Sequence, residues 1–293
     1  MRILLLLALL LSPPVIADGH PVTMWRVDGA ANSIYLLGSI HLLRKQDHPL
    51  PTVIDMAYED AEIVVMELDM DDLDPIYTQT AFNNAGVLRD GRTLRDLMGD
   101  ELYAEAERAA KAIDIPIDLL AQSEPWLAAM TVELMALYRI GFNPMYGVEM
   151  TMTARAAGDG KPIEGLETVD EQLSFLDGLP LDVQNEMLLQ TLRESAAMSE
   201  QIDELIDAWR HGDIETLNSG LLESIAEESE LHDVLIVSRN ERWVESILEW
   251  LDDDEDYLVV VGALHLVGED GVPALLEQHG LGIHQLSEPA TVR

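Results

Sequence analysis

Two short phrases near opposite ends of the chain carry histidines in the same setting. His41 ends the phrase Gly-Ser-Ile-His and His265 ends the phrase Gly-Ala-Leu-His, and each phrase closes an apolar run. Ligand sites on an α/β sheet lie at the carboxyl ends of its strands, where both histidines are expected. Histidine is the commonest nitrogen ligand for borderline metals. The matched phrases therefore predict two halves of one site. The alternative is two unrelated histidines that are satisfied by hydrogen bonds.

A carboxylate stands inside another apolar strand of the same predicted sheet. Glu67 lies in the run Val-Val-Met-Glu-Leu, where a charge is costly unless it is paired, hydrogen-bonded or bound to a cation. Its place at a strand end puts it beside His41. We interpret Glu67 as a metal ligand or a general base, and the alternative is a carboxylate that pairs with an arginine.

Five further polar residues are candidates for the same crevice. Glu149 opens a predicted helix, where a carboxylate can cap free amides. Glu164 and Glu167 follow a short predicted strand and are hard to separate from surface acids by spacing alone. Arg239 and Asn240 lie on a helix before the last apolar strand. An arginine there would neutralise a carboxylate or bind a developing oxyanion, and the alternative is a surface arginine.

The elements that must position these residues follow from the periodicity of apolar side chains. The sequence predicts a hairpin at 22–41 and a β-α-β unit at 33–68. A mainly helical insertion follows at about 71–235, with a short strand at 161–163. The α/β pattern then resumes with helix 234–251, strand 257–262 and a final strand at 282–286. We predict an α/β fold, with α+β possible. A mixed central sheet is built from both ends of the chain, and residues 18–293 form one domain.

Composition sets the compartment. Residues 1–17 are typical of a secretory signal peptide with a cut after Ala17, which predicts a periplasmic or secreted protein. The chain has no cysteine, so disulfides and thiol chemistry are excluded. With 55 acidic against 17 basic residues and a net charge of −38, it should repel nucleic acid and anionic membranes. No other apolar segment approaches membrane-spanning length.

Six short segments in this order resemble the TraB/GumN family, which is related to the Tiki metalloproteases and more distantly to ChaN-like and erythromycin-esterase-like proteins. The segments are residues 36–41, 66–69, 146–149, 163–168, 239–243 and 262–268. The resemblance runs from about Trp25 to the C-terminus. It implies a divalent metal ion held by His41 and His265, with Glu67 as a ligand or base.

The resemblance also implies site positions for Glu149, Glu164, Glu167, Arg239 and Asn240. We therefore expect an exported metal-dependent hydrolase, with a peptidase as the favoured form. Its substrate would be a peptide or a small molecule. Nitrogen and oxygen ligands without sulfur fit manganese, cobalt, iron or zinc. The alternative is a non-catalytic envelope protein of the same fold that binds a metal, haem or a peptide.

Overall fold

The computed structural model describes residues 19–221 and 229–289, so the predicted signal peptide at 1–17 lies outside the described residues. Its centre is a six-stranded mixed sheet, with the strands in the order β4-β3-β5-β2-β1-β6. The strands are β1 (Pro21–Asp28), β2 (Ser33–Ser39), β3 (Ile63–Leu68), β4 (Ile163–Glu167), β5 (Tyr257–Gly262) and β6 (Ile283–Ser287).

The strand order confirms that both ends of the chain build the sheet. Strand β5, from the C-terminal part, lies between β2 and β3 and is parallel to both. Strand β4, from inside the helical insertion, is parallel to β3 and forms one edge. Strands β1 and β2 form the predicted antiparallel hairpin, and β6 is antiparallel to β1. The carboxyl ends of four parallel strands therefore meet at one edge of the sheet, where a ligand site is expected.

Helices cover both faces of this sheet. The helices among the described residues are α1 (Thr52–Asp60), α2 (Pro75–Gly86), α3 (Leu94–Ala112), α4 (Pro125–Arg139), α5 (Val148–Asp159), α6 (Val169–Asp177), α7 (Leu181–Glu194), α8 (Met198–His211), α9 (Ile214–Leu221), α10 (Ser229–His232), α11 (Ser238–Trp250) and α12 (Val272–Gln278). A further cluster of helices, α3, α4 and α7, has a core of its own. Within the described residues, no helix is long and apolar enough to cross a membrane.

Successive side chains along each strand point to opposite faces of the sheet, so the apolar core has two parts, one on each face. One face buries Leu37, Met66 and Val260 against α1, α5 and α8. The other buries Leu36, Val65 and Val259 against α11 and α12. Because both faces are covered, the parallel strands are continuous apolar runs, which is why they were predictable from the sequence.

Two elements differ from the sequence-based prediction near the site. Strand β4 covers 163–167 and not 161–163, so Glu164 and Glu167 lie within the strand and do not follow it. The predicted helix 234–251 is divided, because a π-helical turn at Asp233–Val237 joins α10 to α11. Such turns occur often at functional sites, and this one ends two residues before Arg239.

Candidate functional site

His41 lies in the loop after β2 and is held by a buried carboxylate from α5. Its Nδ1 atom is 2.7 Å from Oε1 of Glu149, and the hydroxyl of Ser39 donates a hydrogen bond to the same oxygen. Gly147 allows the start of α5 to lie close to the His41 loop, because a Cβ atom at position 147 would lie 2.1 Å from the carbonyl oxygen of His41. The imidazole stays open to solvent, since 62% of the His41 side chain is exposed.

The electrostatic effect of this pair is large. The negative charge of Glu149 raises the pKa of His41 to about 10, although desolvation acts in the opposite direction. Burial alone would raise the pKa of Glu149, but the imidazole and the hydrogen bonds from His41 and Ser39 lower it. At neutral pH His41 is therefore an imidazolium, with its Nδ1–H on Glu149 and its Nε2–H directed elsewhere.

Gly262 marks the point where the three predicted central residues meet. Ser39 and Gly262 are paired in the parallel register of β2 and β5, so the two histidine phrases start from neighbouring strand ends. A Cβ atom on Gly262 would lie 3.3 Å from Oε1 of Glu67, 3.6 Å from Cδ2 of His265 and 3.8 Å from Nε2 of His41. The two imidazoles and the carboxylate therefore surround one backbone position at the edge of the sheet.

Glu67 is fixed through both of its oxygens. Oε1 accepts a hydrogen bond from the Gly262 amide at 2.8 Å. Oε2 accepts from the Arg239 guanidinium at 2.7 Å and from the Gln172 amide at 3.1 Å. Burial alone would raise the pKa of Glu67, but the charges of His265 (at the acidic pH where Glu67 titrates), Arg239 and His41 lower it to about 2. Glu67 is therefore a carboxylate at neutral pH.

Arg239 is buried and joins two carboxylates. It binds Glu167 through Nε and one terminal nitrogen, which also donates to Glu67. Its other terminal nitrogen donates to the carbonyl of Leu235 and to Nε2 of His265. An arginine has five N–H donors, and these contacts engage all of them. In this arrangement Arg239 contacts two carboxylates, and none of its N–H groups is left for a further acceptor.

His265 is buried, and its tautomer follows from Asn240. The Asn240 amide nitrogen donates to the carbonyls of His265 and Asp270, so its oxygen must face the imidazole. Nδ1 of His265 lies 2.7 Å from that oxygen and therefore carries the proton. Nε2 then accepts from Arg239 at 3.1 Å. Burial lowers the pKa of His265 to about 3, which keeps this histidine neutral. The indole of Trp243 packs on the imidazole, with ring centroids 4.4 Å apart.

Glu164 lies apart from the other candidates. It is opposite Val65 in the register, near the beginning of β4, whereas the site is at the strand's end. Its side chain is exposed, and within residues 19–221 and 229–289 it makes no hydrogen bond to the group around Gly262. Glu164 and Glu167 lie on the same strand but have different surroundings, because Glu164 is near its beginning and Glu167 is at its end. The side chain of Glu167 is 2% exposed and is bound by Arg239 and Arg242.

Gln172 is a site residue that the sequence analysis missed. Its amide donates to Oε2 of Glu67 and, at 3.2 Å, to Oε2 of Glu167. Arg239 donates to the same two oxygens, so the two carboxylates are bridged twice. Gln172 lies in the first turns of α6, which Thr168 caps. A single glutamine on a helix has no sequence pattern that would mark it as a site residue.

The predicted metal ligands can be tested against these contacts. A metal would need the lone pair on Nε2 of His265, but that lone pair accepts from Arg239, and Nδ1 is protonated. Both oxygens of Glu67 already accept hydrogen bonds. The described residues contain no group of three or more histidine, aspartate or glutamate side chains arranged to hold a metal. As arranged, the space between Glu67 and His265 fits the guanidinium of Arg239 and does not fit a metal ion.

Fold and site together define a class, which is an α/β protein with histidine, glutamate and arginine side chains gathered at the carboxyl ends of its parallel strands. The sequence profile of the TraB/PrgY/gumN family matches residues 23–285, and the chain belongs to this family. It is similar to the uncharacterized protein YbaP of Escherichia coli strain K12 and to that of Shigella flexneri. Each is 25% identical over 242 residues, covering 83% of this chain and 87% of the relative. No solved structure gives a significant match.

Proposed function

We propose that this chain is a hydrolase of peptide bonds in which His41 and Glu67 act on the scissile bond. The observation that carries the proposal is the arrangement at Gly262, where Nε2 of an exposed imidazolium and Oε1 of a buried carboxylate approach the same point. Hydrolysis of an amide needs a group that accepts a proton from water and a group that gives one to the leaving amine. The two residues supply one of each.

The reaction balances with these groups alone. Glu67 accepts a proton from the attacking water while the water oxygen bonds to the carbonyl carbon. The carbon–nitrogen bond then breaks, and His41 gives its Nε2 proton to the departing amine. The proton on Glu67 passes back to His41, which restores the starting state. The low pKa of Glu67 and the high pKa of His41 favour this last transfer, because the imidazole is the stronger base of the two.

The remaining residues hold this pair in place. Glu149 and Ser39 orient the imidazole of His41. Arg239 and Gln172 hold Oε2 of the Glu67 carboxylate, and the Gly262 amide holds Oε1. Preorganised groups of this kind lower a barrier because no reorganisation is needed during the reaction. The choice of a peptide as the substrate rests on the resemblance of the family to the Tiki metalloproteases.

A divalent ion remains a proposal from the sequence. Manganese, cobalt, iron or zinc could bind His41, Glu67 and His265 only if Arg239 released the imidazole of His265. The non-catalytic alternative, in which the same crevice binds a metal, haem or a peptide, also remains. Peptide cleavage and metal binding, measured on purified protein, distinguish both alternatives from the proposed hydrolase.

The test is a peptide-cleavage screen read by mass spectrometry on protein comprising residues 18–293. It includes wild type, His41→Ala, Glu67→Gln and the matched control Glu164→Gln. We expect both site variants to lose about 10²- to 10⁴-fold in rate, while the control keeps wild-type activity. Cleavage that survives in His41→Ala would contradict the proposal.

Chelator and each metal form further arms of the same screen. Turnover that persists in chelator supports the proposal as written. Turnover that requires one ion supports the metal-dependent form. A haem spectrum or a stoichiometric metal content without any turnover favours the binding protein.

A further inference from the structure

Exposed apolar side chains are concentrated in residues 134–146, and the end of this segment lies against the His41 loop. Nine large hydrophobic side chains are exposed among the described residues, and four of them come from residues 134–146. These four, which we call the apolar rim, are Leu134, Tyr138, Met145 and Tyr146. Two belong to the last turns of α4 and two to the 3-10 turn at Pro144–Tyr146. Clustered exposed apolar surface marks an interaction site, whereas scattered single residues do not.

Backbone contacts hold the 3-10 turn of the rim against the His41 loop. The amide of Val148 donates to the carbonyl of Ile40 at 3.1 Å. The carbonyl of Tyr146 lies 2.8 Å from Nε2 of His48. Gly147, the next residue along, is in direct contact with the carbonyl of His41. This part of the rim is therefore a fixed neighbour of the imidazole.

Charge adds a second constraint on what binds there. Glu133 is exposed on α4 directly before Leu134, so a carboxylate lies next to a residue of the apolar rim. The whole chain carries a net charge of −38. Such a field attracts cationic ligands and repels anionic ones.

We propose that the apolar rim binds the peptide substrate, and that this substrate is an extended peptide with an apolar side chain and a nearby positive charge. The apolar side chain packs on Met145 and Tyr146, and the positive charge faces Glu133. This inference rests on the proposed hydrolase function, because it identifies the substrate class of the same site. Equilibrium binding tests it separately, since binding needs no turnover.

The experiment measures fluorescence anisotropy of labelled peptides with the Glu67→Gln protein, which retains the shape of the side chain. Four peptides of one length combine leucine or serine with lysine or glutamate. We expect the leucine–lysine peptide to bind most tightly. Met145→Ser combined with Tyr146→Ser should weaken that binding roughly tenfold. Met56→Ser is the matched control, because Met56 is 58% exposed on α1 and Met145 is 66% exposed.

The outcomes separate the possible occupants of the rim. Unchanged affinity in the rim variant, or an equal loss in Met56→Ser, would overturn the proposal. The proposal would also be overturned if the rim variant kept its affinity for peptides but lost binding to phosphatidylcholine vesicles. Loss of self-association in sedimentation, with peptide affinity intact, would overturn it in the same way. Circular dichroism confirms that each variant is folded. If the peptides bind through the rim and the wild-type protein does not cleave them, the substrate surface stands and the proposed hydrolysis fails.

Discussion

Nδ1 of His41 lies 2.7 Å from Oε1 of Glu149, although 108 residues separate the two along the chain. This contact decides the state of the site, because it keeps an exposed imidazole protonated. The second histidine of the matched phrases is in the opposite state, buried and neutral beside Arg239. Two histidines that look equivalent in sequence therefore have different chemistry.

The charge of Glu149 can be removed with little change of shape in Glu149→Gln. We expect the pKa of His41 to fall from about 10 towards its ordinary value of 6.5, because the carboxylate is the largest cause of the shift. NMR titration of the labelled imidazole measures this. Wild-type protein titrated under the same conditions is the control. A wild-type His41 that already titrates near its ordinary value would refute this account of the pair.

The same shift predicts how stability depends on pH. Because the pKa of His41 is raised, its stabilising effect is complete below pH 6.5 and is lost as the pH rises through about 10. The stability difference between wild type and His41→Gln should therefore shrink over that interval. Urea unfolding at a series of pH values measures it. A difference that stays constant from neutral to alkaline pH would show that the ion pair adds nothing.

Removal of Arg239 should be costly, because it leaves Glu167 buried with fewer partners. We expect Arg239→Ala to lower the free energy of unfolding by about 3–5 kcal/mol, as for other broken buried pairs. Arg242 binds the same carboxylate but is 49% exposed, so Arg242→Ala is the matched control and should cost less than about 1 kcal/mol. Urea unfolding of both variants decides the question, and equal losses would contradict the buried role of Arg239.

Gln172→Met retains the size of the side chain and removes the amide that bridges Glu67 and Glu167. We expect a loss of about 1–3 kcal/mol of stability and a fall in kcat with KM nearly unchanged, because Glu67 is no longer fixed. Gln79→Met, an exposed substitution on α2, is the control. A change in KM alone would show that Gln172 contacts substrate and does not position Glu67.

The centre of the sheet was predictable because β2, β3 and β5 are continuous apolar runs. The runs before His41 and His265 became neighbouring parallel strands, and Glu67 joined them because its strand lies on the other side of β5. Strand β4 was the weak point. The prediction placed that strand two residues too early, and this error moved Glu164 into the candidate site.

The partners of the two histidines could not be predicted from local pattern. Glu149 comes from α5 and Arg239 from α11, and which helix faces which histidine depends on packing across the whole domain. Gln172 illustrates the same limit, since an amide on a helix surface has no periodicity of its own. Residue types and strand ends indicate a site, whereas its charge states require the three-dimensional contacts.

The proposed hydrolysis requires His41 and Glu67 to act together across Gly262. Gly262→Ala keeps every reacting group but adds a methyl 3.3 Å from the Glu67 carboxylate and 3.8 Å from the His41 ring. Gly158→Ala, where the methyl meets nothing within 4 Å, is the control. The peptide-cleavage rate of Gly262→Ala should fall at least about tenfold, because small misplacements of reacting groups are costly, while Gly158→Ala retains the wild-type rate. Full activity in Gly262→Ala would contradict the joint action of the two residues.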